Sequence, residues 1–170
     1  MHDKKIALLV EQLAELLIKH QKQLSVAESC TGGWVAKELT DLSGSSAWFE
    51  RGFVTYSNQA KHEMLGVAES TLTTYGAVSE ETVTAMAIGA LNNSHADCSL
   101  SVSGIAGPTG GSAEKPVGLV WFSWAVTEDA QQKTLATVKH VFKGNRDSVR
   151  QQAVEYVLKE LITLLKNYWD

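Results

Sequence analysis

The residues best placed to do chemistry lie in the segment Ala27-Glu28-Ser29-Cys30-Thr31-Gly32-Gly33. Leu24 to Ala27 has the character of a short buried strand, and Gly32 and Gly33 open a helical stretch that runs to Leu42. Ser29 therefore falls in a strand-to-helix turn. Unpaired amides and the positive end of a helix dipole favour negative charge there, which makes Thr31, Gly32 and Gly33 candidates to hold a phosphate or an oxyanion. A serine on such a turn can attack a carbonyl while neighbouring amides stabilise the tetrahedral intermediate of acyl transfer. The same placement also suits a plain helix cap. Cys30 is the rival nucleophile, because a helix N-terminus stabilises a thiolate. A small cysteine beside a tight turn is, however, commonly a packing residue, and nothing marks a histidine partner for it. Glu28 is a candidate to orient a lysine or a hydroxyl.

A second glycine-rich segment, Ser103 to Ser112, follows another short apolar run, and a serine-rich turn spans Ser43 to Ser46. The glycines of the first permit close backbone approach to a ligand and Pro108 stiffens it, so Gly104, Ala106, Gly107 and Thr109 are candidate substrate contacts. Loops at the carboxyl ends of adjacent strands line a common crevice in α/β sheets, and these segments suggest one pocket.

The elements that must position these loops follow from periodicity. Ile6, Leu9, Val10, Leu13, Leu16 and Leu17 recur at helical spacing. Phe49 to Tyr56 reads as a strand, followed by a short helix that Asn58 caps, that carries Lys61 and that ends near Gly66. Ser79 with Glu80 and Glu81 marks the start of a helix reaching about Asn92. Cys98 to Val102 is a strand, and Val117 to Val126 and Thr134 to Phe142 form a hairpin around Glu128-Asp129-Ala130. A last helix after Gly144-Asn145 carries an apolar stripe from Val149 to Leu164. Alternating helices and strands with a terminal hairpin predict a single α/β domain over residues 1–170, a three-layer sandwich with a mixed sheet covered by helices.

Composition narrows the function. A net charge of -4 with scattered Lys and Arg offers no footprint for a nucleic-acid backbone. The start, Met1-His2-Asp3-Lys4-Lys5, leads into a segment broken by Glu11, Gln12 and Glu15, which predicts no signal peptide, no membrane span and a cytoplasmic protein. Cys30 and Cys98 have no CxxC partner, and the histidines at 2, 20, 62, 95 and 140 are dispersed, so neither a metal site nor a disulfide is expected.

Three blocks carry a resemblance over nearly the whole chain: the Ala27 to Gly33 segment; Gly52-Phe53-Val54-Thr55-Tyr56-Ser57-Asn58 with Lys61; and Ser103-Gly104-Ile105-Ala106-Gly107-Pro108. Pro116-Val117-Gly118 and Gly144-Asn145-Arg146 also fit. In order and spacing they resemble the CinA C-terminal, PncC-type family. The resemblance implies hydrolysis of the carboxamide of nicotinamide mononucleotide, a small-molecule nucleotide substrate, to nicotinate mononucleotide and ammonia. It requires no cofactor, and it implies self-association as a homodimer, for which apolar residues near Tyr168-Trp169 are candidates. A binding protein of the same fold without catalysis is the alternative.

That chemistry needs an activated nucleophile, an oxyanion hole and a proton donor for ammonia. With Ser29 as nucleophile and no His-Asp set in view, Lys61 is the expected base, provided burial or a nearby cation keeps it neutral. Ser46 or Tyr56 is a candidate proton relay. On ordinary grounds Lys61 would be a solvated lysine, Tyr56 a strand residue and Ser46 a cap. Arg146 is the candidate for the nucleotide phosphate, since a cation in the first turn of a helix opposes the dipole unless an anion binds there.

Overall fold

The computed structural model describes residues 2–170; Met1 and the side chain of His2, to which part of the reading of the start and of the histidines applies, lie outside it. The elements run α1 (His2–His20), β1 (Leu24–Glu28), α2 (Trp34–Asp41), a 3-10 turn (Ser45–Ala47), β2 (Phe49–Val54), α3 (Asn58–Leu65), α4 (Glu69–Tyr75), α5 (Glu80–Asn92), β3 (Cys98–Gly104), β4 (Leu119–Glu128), β5 (Gln131–Val141) and α6 (Arg146–Trp169). The five strands form one sheet in the order β2-β1-β3-β4-β5. β1 pairs in parallel with β2 and β3, while β4 and β5 are antiparallel, so the sheet is mixed. Helices cover both faces, as the pattern predicts, in a three-layer α/β domain.

The two faces of the sheet are built differently. Leu24, Val26, Leu100, Val102, Phe122 and Trp124 share the main core with α1 and α6. The alternate positions on β3 are serines, and each donates to a helix-side carbonyl: Ser99 to Ala87 at 2.7 Å, Ser101 to Val83 at 2.6 Å and Ser103 to Ala77 at 2.8 Å. Small side chains let α5 lie close on that face, and the three β3 hydroxyls are all paired, whereas the buried Oγ of Ser25, opposite Ser99 on β1, has no hydrogen-bond partner among the described residues.

Three local expectations change. α4 was not anticipated, because Glu69-Ser-Thr-Leu-Thr-Thr-Tyr75 is rich in weak helix formers and only Leu72 of it is buried. Ser57, not Asn58, caps α3, its hydroxyl accepting the Ala60 amide at 3.0 Å. The hairpin strands pair further toward their turn than expected, Glu128 meeting Gln131 across Asp129 and Ala130, both at positive φ (50° and 62°), the geometry of a tight two-residue hairpin turn. At the other end, Tyr168 and Trp169 pack against the chain's own core, and the Trp169 ring lies 5.4 Å from that of His20. Both residues are half-buried, so each keeps part of its surface exposed. Among the described residues, no helix is long and apolar enough to cross a membrane.

Candidate active site

β1 ends at Glu28, and the Ser29 amide donates to Val102 at 3.0 Å, which fixes the turn at the carboxyl end of the two central parallel strands. α3 follows β2 at the same end. Lys61 and Leu65, one turn apart, form its buried face, so Lys61 shares the stripe that packs inward. The lysine is 0% exposed. Its Nζ lies 2.9 Å from Ser29 Oγ and donates to the carbonyls of Thr55 at 2.8 Å and Tyr56 at 3.3 Å.

This is not the solvated lysine that a short surface helix suggests. Loss of water around the ammonium pushes the Lys61 pKa down to about 8. A neutral amine has two hydrogens for the two carbonyls and a lone pair left for the Ser29 hydroxyl. The arrangement can take a proton from Ser29 directly, with no relay. Cys30 differs. Burial first, and the Glu28 carboxylate second, push its thiol up to about 12, so the thiolate that a helix N-terminus would favour does not form at neutral pH.

Ser29, Cys30, Tyr56, Lys61, Ala77, Val78, Ser103, Gly104, Ala106 and Arg146 line a cavity of about 190 Å³. Arg146 stands at its rim, one guanidinium nitrogen donating to the Gly107 carbonyl at 2.8 Å and another to the Tyr56 hydroxyl at 3.1 Å. Tyr56 is 62% exposed, so its ring flanks the entrance and its hydroxyl serves Arg146. Cys30 and Ala106 both line the cavity, which makes their backbone amides candidate donors to an oxyanion.

The structure does not bring together every residue expected here. Ser46 lies in the exposed turn before β2, whereas Ser29 follows β1. Because β1 and β2 run parallel, these positions are at opposite ends of the sheet, roughly 20 Å apart by strand rise. Ser46 cannot relay a proton to Ser29. Thr31, Gly32 and Gly33 line an open groove of about 820 Å³ between α1, α2 and α6 instead of the Ser29 cavity. The anion at the start of α2 is the protein's own: Glu28 accepts from the amides of Val35 at 2.8 Å and Ala36 at 3.0 Å and from the Thr31 hydroxyl at 2.6 Å. Glu28 thus orients the helix, not Lys61. The two glycines serve the turn itself, at φ 58° and 99°.

Gly104 and Ala106 reach the cavity, but Thr109 is exposed beyond it and Gly107 contributes only its carbonyl to Arg146. A Cβ on Gly104 would stand 2.7 Å from Val120 Cγ2, so packing against β4 requires this glycine whatever binds nearby. Sequence reading missed Ala77, Val78 and Ser103 as lining residues. Ser103 lies one residue before the end of β3, beside β1, and was within reach of the pattern; Ala77 and Val78 carry no polar signature. No three His, Cys, Asp or Glu side chains converge on a metal-sized site among the described residues.

Residues 6–165 match the family model described as the CinA C-terminal domain. The chain belongs to that family. Relatives of this CinA-domain chain include the nicotinamide-nucleotide amidohydrolase PncC of Escherichia coli K12, 54% identical over 161 residues and 95% of both chains. The protein of the same name from Enterobacter agglomerans is 59% identical over 136 residues and 80% of both. Among solved CinA-domain structures, the competence/damage inducible protein CihA of Agrobacterium tumefaciens has a TM-score of 0.86 at 44% identity, covering 94% of this chain and 95% of that one.

Proposed function

We propose that the protein hydrolyses the carboxamide of nicotinamide mononucleotide, with Ser29 as nucleophile and Lys61 as general base and then general acid. The observation that carries the chemistry is the 2.9 Å contact between Ser29 Oγ and a fully buried lysine amine. The relatives named for nicotinamide-nucleotide amidohydrolase activity supply the substrate.

Lys61 Nζ takes the Ser29 hydroxyl proton as Oγ bonds to the amide carbon. The resulting oxyanion meets the amides of Cys30 and Ala106. Lys61 passes its proton to the amide nitrogen, the C–N bond breaks, and ammonia leaves an ester on Ser29. Water then attacks the ester with Lys61 again as base, releasing the carboxylate and restoring the hydroxyl.

The cavity supports this division of the substrate. At about 190 Å³ it is below the roughly 300–1,000 Å³ of a site enclosing a whole small molecule. It suits the pyridine ring and its amide, with ribose and phosphate extending past Tyr56 to the guanidinium of Arg146. The test is a panel of nicotinamide mononucleotide, its riboside and free nicotinamide offered to purified protein. Ammonia should appear from the mononucleotide and weakly or not at all from nicotinamide. Binding of the mononucleotide with no ammonia from any of the three would reject the enzyme reading.

A further inference from the structure

α6 sends two arginines, one helical turn apart, to the elements around Ser29. Arg146 bridges the segment after β3 and the segment between β2 and α3, as described above. Arg150 reaches the strand-to-helix turn: its Nε donates to the Cys30 carbonyl at 3.0 Å and an Nη to the Thr31 carbonyl at 3.1 Å. Trp34 lies against the guanidinium, its ring centre 5.3 Å away, and so limits how the fork can swing.

The turn needs such a tie. It contains two glycines in left-handed conformations, and although Glu28 anchors the Thr31 hydroxyl and the first amides of α2, it makes no bond to the Cys30 or Thr31 carbonyls. Its backbone bonds include Gly32 to the Ser29 carbonyl and Trp34 to the Thr31 carbonyl, both at 3.0 Å. The two carbonyls that Arg150 holds belong to the residues immediately after Ser29. A guanidinium fork spans two successive carbonyls; a lysine ammonium is a single point and does not reproduce that grip. Arg150 lines the open groove on the α1 side of the turn and not the cavity that holds Ser29 and Lys61.

We infer that Arg150 is a positioning residue for the nucleophile: by holding the Cys30 and Thr31 carbonyls, it keeps Ser29 Oγ within reach of Lys61 Nζ. The inference rests on the Ser29-Lys61 chemistry proposed above, although not on the identity of the substrate.

The test compares wild type, Arg150→Met, Arg150→Ala and Arg150→Lys. Turnover of nicotinamide mononucleotide is one readout, and phosphonylation of Ser29 by a fluorophosphonate is another. In the second, Oγ bonds to phosphorus, fluoride leaves and Lys61 takes the proton, so nucleophilicity is read without the substrate. Arg150→Met keeps an apolar stem on Trp34 and should lower both kcat and the labelling rate by roughly 10- to 100-fold, the scale of an ångström-sized misplacement, with KM and melting temperature near wild type. Added guanidinium ion should restore part of the rate in Arg150→Ala, and Arg150→Lys should remain impaired. Wild-type labelling and turnover in Arg150→Met would overturn the inference. So would a raised KM with kcat intact, or a collapse in melting temperature with no guanidinium rescue. If wild-type protein is labelled yet releases no ammonia, the substrate reading fails while the labelling comparison still decides Arg150.

Discussion

Glu28 Oε1 accepts the amide of Val35 at 2.8 Å, so the positive end of α2 is already occupied by a carboxylate supplied from the residue before Ser29. Adjacent residues thus have opposite duties. Ser29 faces the cavity, and Glu28 turns back to anchor the helix that follows the turn.

Glu28→Gln retains one acceptor but presents an NH2 group where the second carboxylate oxygen meets the Ala36 amide at 3.0 Å. Leaving a buried donor unsatisfied costs about 1–3 kcal/mol. Urea denaturation should report that loss; a variant as stable as wild type would show that the cap contributes little.

Catalysis should require neutral Lys61, whose pKa burial holds at about 8. The rate for nicotinamide mononucleotide should therefore rise roughly tenfold per pH unit below that value and level off above it. A rate independent of pH from 6 to 9 would remove Lys61 as the base that deprotonates Ser29.

The same lysine should leave a mark on stability. Its folded pKa lies below the ordinary 10.5, so between about 8 and 10.5 the unfolded chain holds a proton that the folded chain has released. This contribution grows as pH rises through that window. Relative to Lys61→Met, wild type should gain about 3 kcal/mol across it, from the shift at 1.36 kcal/mol per unit. The comparison between variants is essential, because the buried thiols Cys30 and Cys98, pushed up by burial, act in the opposite direction at alkaline pH. A stability difference that does not change with pH would contradict the burial of a neutral amine.

Arg146→Met should raise KM for the mononucleotide by about tenfold or more while leaving the riboside nearly unaffected, since a charge-assisted bond to phosphate is worth about 1.5–3 kcal/mol. Steady-state kinetics on both substrates decides it. An equal loss on both would mean that Arg146 acts through Gly107 and Tyr56 rather than on the phosphate.

Much of this architecture was legible in the chain. Apolar spacing marked α1 and α6, β-branched runs marked the strands, and the turn after β1 marked Ser29. Lys61 could be placed on a short helix, but its inward direction depends on how α3 packs after β2, which no local pattern records. Ser46 failed because a sequence does not display which end of a parallel strand a loop occupies; the turn before β2 and the turn after β1 lie at opposite ends. The phosphate-like role expected of Thr31, Gly32 and Gly33 failed for another reason. The helix N-terminus was correctly located, but its anion comes from Glu28. Arg150 was missed because its partners are backbone carbonyls 119 and 120 positions away, and carbonyls carry no sequence signal.

The most direct measurement is ammonia release from nicotinamide mononucleotide by wild type and Ser29→Ala, with nucleotide binding followed by calorimetry. Removing the nucleophile should lower turnover by about 10³-fold or more while the affinity for the mononucleotide changes only a few-fold. Turnover in Ser29→Ala at the wild-type rate would contradict the account at its centre.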